Sequence, residues 1–197
     1  NRGRYMQEAV AEGAGSMAAI LGLDNEEVAA ICASRGGEGV VEVANLNAPG
    51  QVVIAGHQGA VQWAVEAAKE AGARRAILLN VSAPFHCSLM QPAADRLAPE
   101  LADAAFAEPA VPVVCNVDAA AITGGDAARD ALRRQVTSPV RWSETLEFLA
   151  AQGVDVFVEV GPGRVLSSLV KRTLGRGVGI YAVDELEEID AVVQALD

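Results

Sequence analysis

Two histidines, three cysteines and a scatter of arginines supply most of the groups in this 197-residue chain that could act as base, nucleophile or anion clamp. His86 lies in Ser-Ala-Pro-Phe-His-Cys-Ser-Leu-Met, after an apolar run and at the mouth of an amphipathic segment. Strand ends in α/β folds present ligand-facing groups at such places. The positive end of a helix dipole would disfavour imidazolium there and keep a neutral ring available as a general base, so His86 is a candidate catalytic residue, the alternative being an imidazole that merely packs. Its neighbour Cys87 does not complete a dyad, because adjacent side chains do not face one another on a strand or a helix. Cys115 falls inside a strand pattern and reads as a packed residue, and His57, between a strand and a helix, reads as an exposed turn residue without a role. Three scattered cysteines make neither a disulfide framework nor a zinc site, so no metal is expected. No Ser sits in a Gly-x-Ser-x-Gly turn. If the chemistry is nucleophilic, this chain does not carry the nucleophile.

The chain has 15 Lys plus Arg against 26 Asp plus Glu, a formal charge of -11. That balance repels a phosphate backbone and argues against nucleic acid as a partner. About half of the 15 cations fall at Arg74, Arg75, Arg133, Arg134, Arg141, Lys171, Arg172 and Arg176, where local clustering could still receive an acidic partner, scattered solubilising charge being the alternative. Gly161-Pro162-Gly163-Arg164 lacks both a third glycine and a Gly-Lys-Ser/Thr, so it reads as a structural turn and not a phosphate loop. No apolar run approaches the roughly 18 to 20 residues of a membrane span, and the first residues, NRGRYMQEAV, lack a signal-peptide pattern. A cytoplasmic protein without membrane contact is expected.

The elements that must position these residues follow from periodicity. A helix is predicted over 2–10, running into the start of the chain as though cut short, then a strand over 16–23 and a helix from about 25 to 33 behind Asp24 as its cap. Strands over 40–45 and 51–55, joined at Ala48-Pro49-Gly50, read as a hairpin, followed by a helix over 59–71 and a strand over 75–81. The order β-α-β-β-α-β is a split βαβ unit of ferredoxin-like type. Beyond it come a helix over 89–105, a strand over 111–117, helices over 126–135 and 142–152, and a strand over 154–160 that turns into a helix over 165–174. That last alternation indicates a parallel α/β arrangement. The fold class is therefore α/β, with a small subdomain over 13–82 inserted into a larger body formed by 1–12 and 83–197.

Several segments taken together, RGRYMQEAV with GAGSMAAILGL, NLNAPGQVVIAGH, VSAPFHCSLMQPAADRL, PVVCNVD, RRQVTSPVRW and VEVGPGRVLSSLVKR, resemble the malonyl-CoA:acyl carrier protein transacylases of bacterial fatty acid synthesis. The resemblance implies an α/β-hydrolase-like parallel-sheet body with a ferredoxin-like insertion, and ping-pong transfer of malonyl from malonyl-CoA to the phosphopantetheine thiol of acyl carrier protein. It implies no bound cofactor, only the CoA thioester as substrate. His86 maps onto the base, and the backbone carbonyl of Gln135 onto the acceptor that orients it. Arg2 maps onto the arginine whose planar fork clamps the malonyl carboxylate, a geometry that Lys could not reproduce. Phe85 resembles an aromatic that excludes a methyl-substituted malonyl, Asn47 and Asn116 fall in segments that line the family's cleft, and Arg74 and Arg75 are candidate contacts for the carrier protein. The family's Gly-Gln-Gly segment and its Ser-bearing elbow are absent, so this chain is expected to be inactive alone and to need the missing N-terminal segment. Its truncated sheet should expose unpaired edges. Alternatives are the acyltransferase domain of a polyketide synthase and a non-catalytic ferredoxin-like binding module. All of this requires His86 and Arg2 to converge on one site.

Overall fold

The computed structural model describes residues 1–196. It comprises two compact units, Asn1–Trp142 and Ser143–Asp197. The first begins with α1 (Arg2–Glu8) and continues with β1 (Gly15–Leu21), α2 (Asn25–Ser34), β2 (Val41–Ala48), β3 (Gln51–His57), α3 (Gln58–Glu70) and β4 (Arg75–Leu78). These four strands form one antiparallel sheet in the order β2-β3-β1-β4, as the ferredoxin-like reading requires. The start of α2 is fixed by a reciprocal capping box: the Asp24 carboxylate accepts from the Glu27 N–H at 2.8 Å, and Glu27 accepts from the Asp24 N–H at 2.9 Å.

The strands have a side-chain period of two, so each face of this sheet collects alternate residues. One face carries Ala18, Ile20, Val52 and Ile54 into a core with Val28, Val61 and Ala64 of the two helices. The other carries Met17, Ala44, Val53 and Ala55, and it packs on Cys87, with Phe85 and Leu89 against it. The segment that holds His86 is thus seated on the second face of the ferredoxin-like sheet. The approach is close at Gly15, where a Cβ would lie 2.4 Å from the Pro84 ring, so any other residue would push that segment away.

A single 3-10 turn (Ser88–Met90) leads into α4 (Gln91–Asp103), where one continuous helix was expected; Pro92 is tolerated in the first turn of α4, whose leading N–H groups have no helical acceptor. The strand expected over 111–117 shrinks to β5 (Val114–Cys115), paired antiparallel with β6 (Ala120–Ala121). Pro112 has no N–H to give, and Ala119, at φ +50°, reverses the chain after Asp118. Then comes α5 (Gly125–Arg134). Helix α1 packs with α4 around Tyr5, Met6, Ala93, Ala94 and Leu97. The same two helices are stitched by polar contacts: the Tyr5 hydroxyl and the Asn1 amide both donate to Glu100, the latter at 2.7 Å, and Arg96 pairs with Glu8 at 2.7 Å while lying over the Tyr5 ring.

The helix α6 (Trp142–Ala151) spans the division between the units, and the second unit continues with β7 (Val156–Val160), α7 (Val165–Leu174), β8 (Gly179–Val183) and α8 (Glu187–Leu196). β7 and β8 pair in parallel. The expected strand-to-helix turn at Gly161-Pro162-Gly163 is present and is structural: the Gly161 N–H donates to the Val183 carbonyl at 2.9 Å, and the Gly163 N–H to Asp184 at 3.3 Å. β8 and α8 were not foreseen, because GIYAV is short and the acidic segment behind it reads as tail. Among the described residues no helix is long and apolar enough to cross a membrane.

Candidate active site

His86 adopts φ +59°, a left-handed conformation rare for a residue with a side chain, at the point where the chain leaves Pro84 and turns toward α4. Its Nδ1 lies 2.9 Å from the Gln135 carbonyl oxygen at the end of α5. A carbonyl can only accept, so Nδ1 carries the proton and Nε2 holds the lone pair of the neutral ring. Burial holds the imidazole below its ordinary value; the carbonyl of Gln135 pulls the other way, the charge of Arg2 pushes it further down, and the Ser138 backbone partly compensates. The sequence points to a helix dipole as the cause of a neutral ring; the structure gives a different cause. Desolvation is the main cause, and only a three-residue turn, not an α-helix, starts just after His86.

Arg2, projected from the first turn of α1, and His86 line the same cavity of about 570 Å³. Among the described residues Arg2 has no ion-pair partner. The walls are mostly apolar, with Phe106, Val113, Ile122 and Leu132, and polar groups come from Asn116 and Gln135. This combination of an oriented neutral imidazole and a guanidinium in one apolar pocket can deprotonate a hydroxyl or thiol while holding a carboxylate. Cys115, in strand β5 as its pattern suggested, is half-buried and also lines the cavity.

The Gln135 carbonyl is fixed in its turn. The Gln135 side-chain amide donates to the carbonyls of Ser138 and Pro139 at 3.0 and 3.2 Å, closing the turn that follows α5. Arg134 grips Asp118 through two bonds of 2.7 Å and also pairs with Asp130, so it braces the site and does not join a free basic patch. Cys87 is buried, donates to the Pro84 carbonyl, and has its thiol pushed up to about 11, which removes it as a nucleophile. His57 is half-buried, and its Nδ1 accepts the Val40 N–H at 2.9 Å, a structural role where an exposed turn residue was expected.

Phe85 does not line the His86–Arg2 cavity; it faces another of about 870 Å³ together with Gln7, Glu12, Asn80 and Val81. Arg74 and Arg75 are exposed, at and just before the start of edge strand β4. Asn47 is half-buried on β2. Phe106, Val113 and Ile122 of the apolar wall had no signal in the sequence, because they lie on irregular segments whose facing no periodicity reveals, while Leu132 is on α5. Among the described residues no cluster of His, Cys, Asp or Glu could hold a metal ion.

This α/β chain thus brings an oriented imidazole and a guanidinium into one cavity, and comparison with known proteins gives its family. Residues 1–192 match the family described as acyl transferase domain, and the chain belongs to that family. It is 53% identical over 196 residues to malonyl CoA-acyl carrier protein transacylase of Escherichia coli K12, spanning 100% of this chain but 62% of that protein. Among solved structures, the malonyl CoA-acyl carrier protein transacylase of Coxiella burnetii superimposes with a TM-score of 0.95 at 44% identity, over 99% of this chain and 61% of that one. A malonyl-transacylase solved in complex with a type II PKS acyl-carrier protein superimposes with a TM-score of 0.93 at 47% identity, over 98% and 62%. The chain thus spans a little over three fifths of the length of these relatives.

Proposed function

We propose that this chain supplies the base and the carboxylate clamp of a malonyl transferase, which moves malonyl from malonyl-CoA to the phosphopantetheine thiol of acyl carrier protein in the cytoplasm. The single observation that carries this reading is the shared cavity of Arg2 and His86, with Nδ1 of the ring held by the Gln135 carbonyl. A serine hydroxyl supplied by a segment outside this chain attacks the thioester carbonyl, and His86 Nε2 takes its proton. The tetrahedral intermediate collapses to a malonyl-serine ester as that proton passes to the departing CoA sulfur. His86 then deprotonates the carrier thiol, which attacks the ester and releases the serine with its proton restored. Arg2 holds the distal carboxylate through both steps and selects malonyl over uncharged acyl groups. No cofactor takes part.

In this reading residues 13–82 form a subdomain that carries the carrier-protein face with Arg74 and Arg75, residues 1–12 and 83–197 belong to the incomplete larger body, and Phe85, which faces a different cavity, takes no part in selecting the acyl group. The complex of a related transacylase with a polyketide carrier favours a second reading, in which the acceptor is a carrier protein of that type. Comparing the two carriers as acceptors separates them.

The test is malonyl transfer by the chain joined to its nucleophile-bearing segment. His86→Ala should lower kcat/KM by about 10² to 10⁴. Arg2→Ala should cost malonyl-CoA far more than acetyl-CoA. Because His86 titrates below its ordinary value near 6.5, the neutral base persists on the acid side and the acid limb of kcat/KM should fall below that pH. Full turnover by the His86 variant, or equal losses on both thioesters with Arg2→Ala, would overturn the reading.

A further inference from the structure

Strand β2 is connected to both halves of the His86–Gln135 pair. Glu42 and Ala44 have the same parity along it; Ala44 is fully buried in the cluster that includes Cys87, so Glu42 projects from the same face. Its carboxylate accepts from Ser88, two residues beyond His86, through the backbone N–H at 2.7 Å and the hydroxyl at 2.9 Å. On its free edge the same strand takes up the segment after Gln135: the Val140 N–H donates to the Ala44 carbonyl at 2.8 Å, and the Leu46 N–H to the Val140 carbonyl at 2.9 Å. Register irregularities in the β2–β3 pairing fall between Val43 and Asn45 and between Leu46 and Ala48, alongside these bonds. One strand thereby sets the separation of the imidazole from the carbonyl that orients it.

We propose that Glu42 is a positioning residue for His86, its two bonds to Ser88 holding the left-handed turn so that Nδ1 stays on the Gln135 carbonyl. The proposal deepens the reading of His86 as base and rests on it. Besides the seating of Pro84 on Gly15 and of Cys87 on the sheet, the turn is held by hydrogen bonds: Cys87 donates to Pro84, Met90 donates to the Cys87 carbonyl, and Ser88 donates to Glu42. Of these bonds the first two are local and cannot fix where the turn sits relative to Gln135. Glu42 comes from a different element, 46 residues away, and can. The charged group named at the ring from the elements around it is Arg2 of α1; the other polar partners are the backbones of Gln135 and Ser138, so Glu42 acts through Ser88 and not by its field on the ring.

The two histidines make the test readable. His86 donates through Nδ1, whereas His57 accepts through Nδ1 from Val40, so at a pH where both are neutral they must be opposite tautomers. Ring nitrogen NMR shifts of this chain should show His86 protonated at Nδ1 and His57 at Nε2. Glu42→Ala should convert His86 to a mixture of tautomers and speed solvent exchange of its Nδ1 proton about tenfold or more, with His57 unchanged as proof of folding. Glu42→Gln, which keeps acceptors for Ser88, should restore most of the native signal, and Ser88→Ala, which removes one bond of two, should fall between. In the nucleophile-complemented enzyme Glu42→Ala should lower kcat about 10- to 100-fold at nearly constant KM. A native His86 tautomer in folded Glu42→Ala would overturn the positioning role. If Glu42→Ala fails to fold, Ser88→Ala decides, a native His86 signal there being the overturning result. Loss of the tautomer with no effect of His86→Ala on transfer would instead sink the base assignment on which the proposal depends.

Discussion

The four-stranded antiparallel sheet and the parallel pair β7–β8 are both built of largely apolar strands, yet they bury opposite shares of their apolar residues. In β3, Val52, Ile54 and Ala55 are at most 1% exposed, because helices cover one face of the sheet and the His86 segment the other. In β7, Phe157 and Glu159 are half-covered while Val156, Val158 and Val160 are 36%, 39% and 80% exposed. Parallel strands normally have both faces covered, and two strands make a marginal sheet. The first sheet is covered on both faces by this chain, whereas the second leaves its valine row exposed, in a chain that spans 62% of a relative's length.

If that contrast is right, the largest stability effect of a single truncation belongs to the first sheet. Ile54→Ala removes a side chain packed between β1, β3 and the helices, and should cost about 2 to 5 kcal/mol in urea unfolding. A cost below about 1 kcal/mol would mean that the core can collapse around the gap, and the contrast would lose its foundation. The same sheet seats His86, so a variant here that stays folded should also loosen the site.

Smaller effects separate local from borrowed capping. Helix α2 is capped by Asp24, immediately before its first residue, and Asp24→Ala should cost about 1 kcal/mol. Helix α7 is capped from the preceding strand: Glu159 accepts from the N–H groups of Leu166 and Ser167 at 2.9 and 2.7 Å, and although desolvation pushes its carboxyl up, the Ser167 side chain together with the backbone of Val165, Leu166 and Ser167 holds it below the ordinary carboxylate value. Glu159→Gln keeps an acceptor and should cost less than Glu159→Ala, while Asp24→Asn should be close to neutral. Thermal unfolding of the four variants ranks them. The stabilising contribution of Glu159 is present above the unfolded carboxylate value and is lost as pH falls through the lower folded value, so its effect should fade in acid.

This division also explains what could be read in advance. The βαββαβ order and its hairpin were legible because buried strands and amphipathic helices announce their periods, and Asp24 with Glu27 announces a cap. The His86–Gln135 bond and the convergence of Arg2 came through family resemblance; the residues themselves placed His86 only at a strand end. Cys115 does lie in a strand, but Pro112 and the left-handed Ala119 shorten that strand to two residues, and its place on the cavity wall was not legible. Phe85 sits beside His86 in sequence, yet the left-handed turn at His86 sends the two side chains into different cavities. Glu42 was invisible, since its partner lies 46 residues away and an acidic residue in an alternating strand has no distinguishing mark.

The smallest expected effect tests the other side of the comparison. Val158 sits mid-strand on the open face of β7 with 39% of its surface exposed, so little of its burial is at stake within this chain. Threonine keeps the β-branched shape that suits a strand and adds a hydroxyl that water can satisfy on that face. Val158→Thr should therefore change stability by no more than about 0.5 kcal/mol here, as for other surface positions. It should also slow concentration-dependent association measured by light scattering, because it breaks an apolar row beside an unpaired edge. The same substitution in the chain joined to its nucleophile-bearing segment should cost about 1 kcal/mol or more if that segment covers the valine row, since a hydroxyl would then be buried without a partner. Equal, negligible costs in both proteins would show that the open face of β7 is a solvent face in the complete fold, and the contrast between the two sheets would then reflect strand composition and not missing structure.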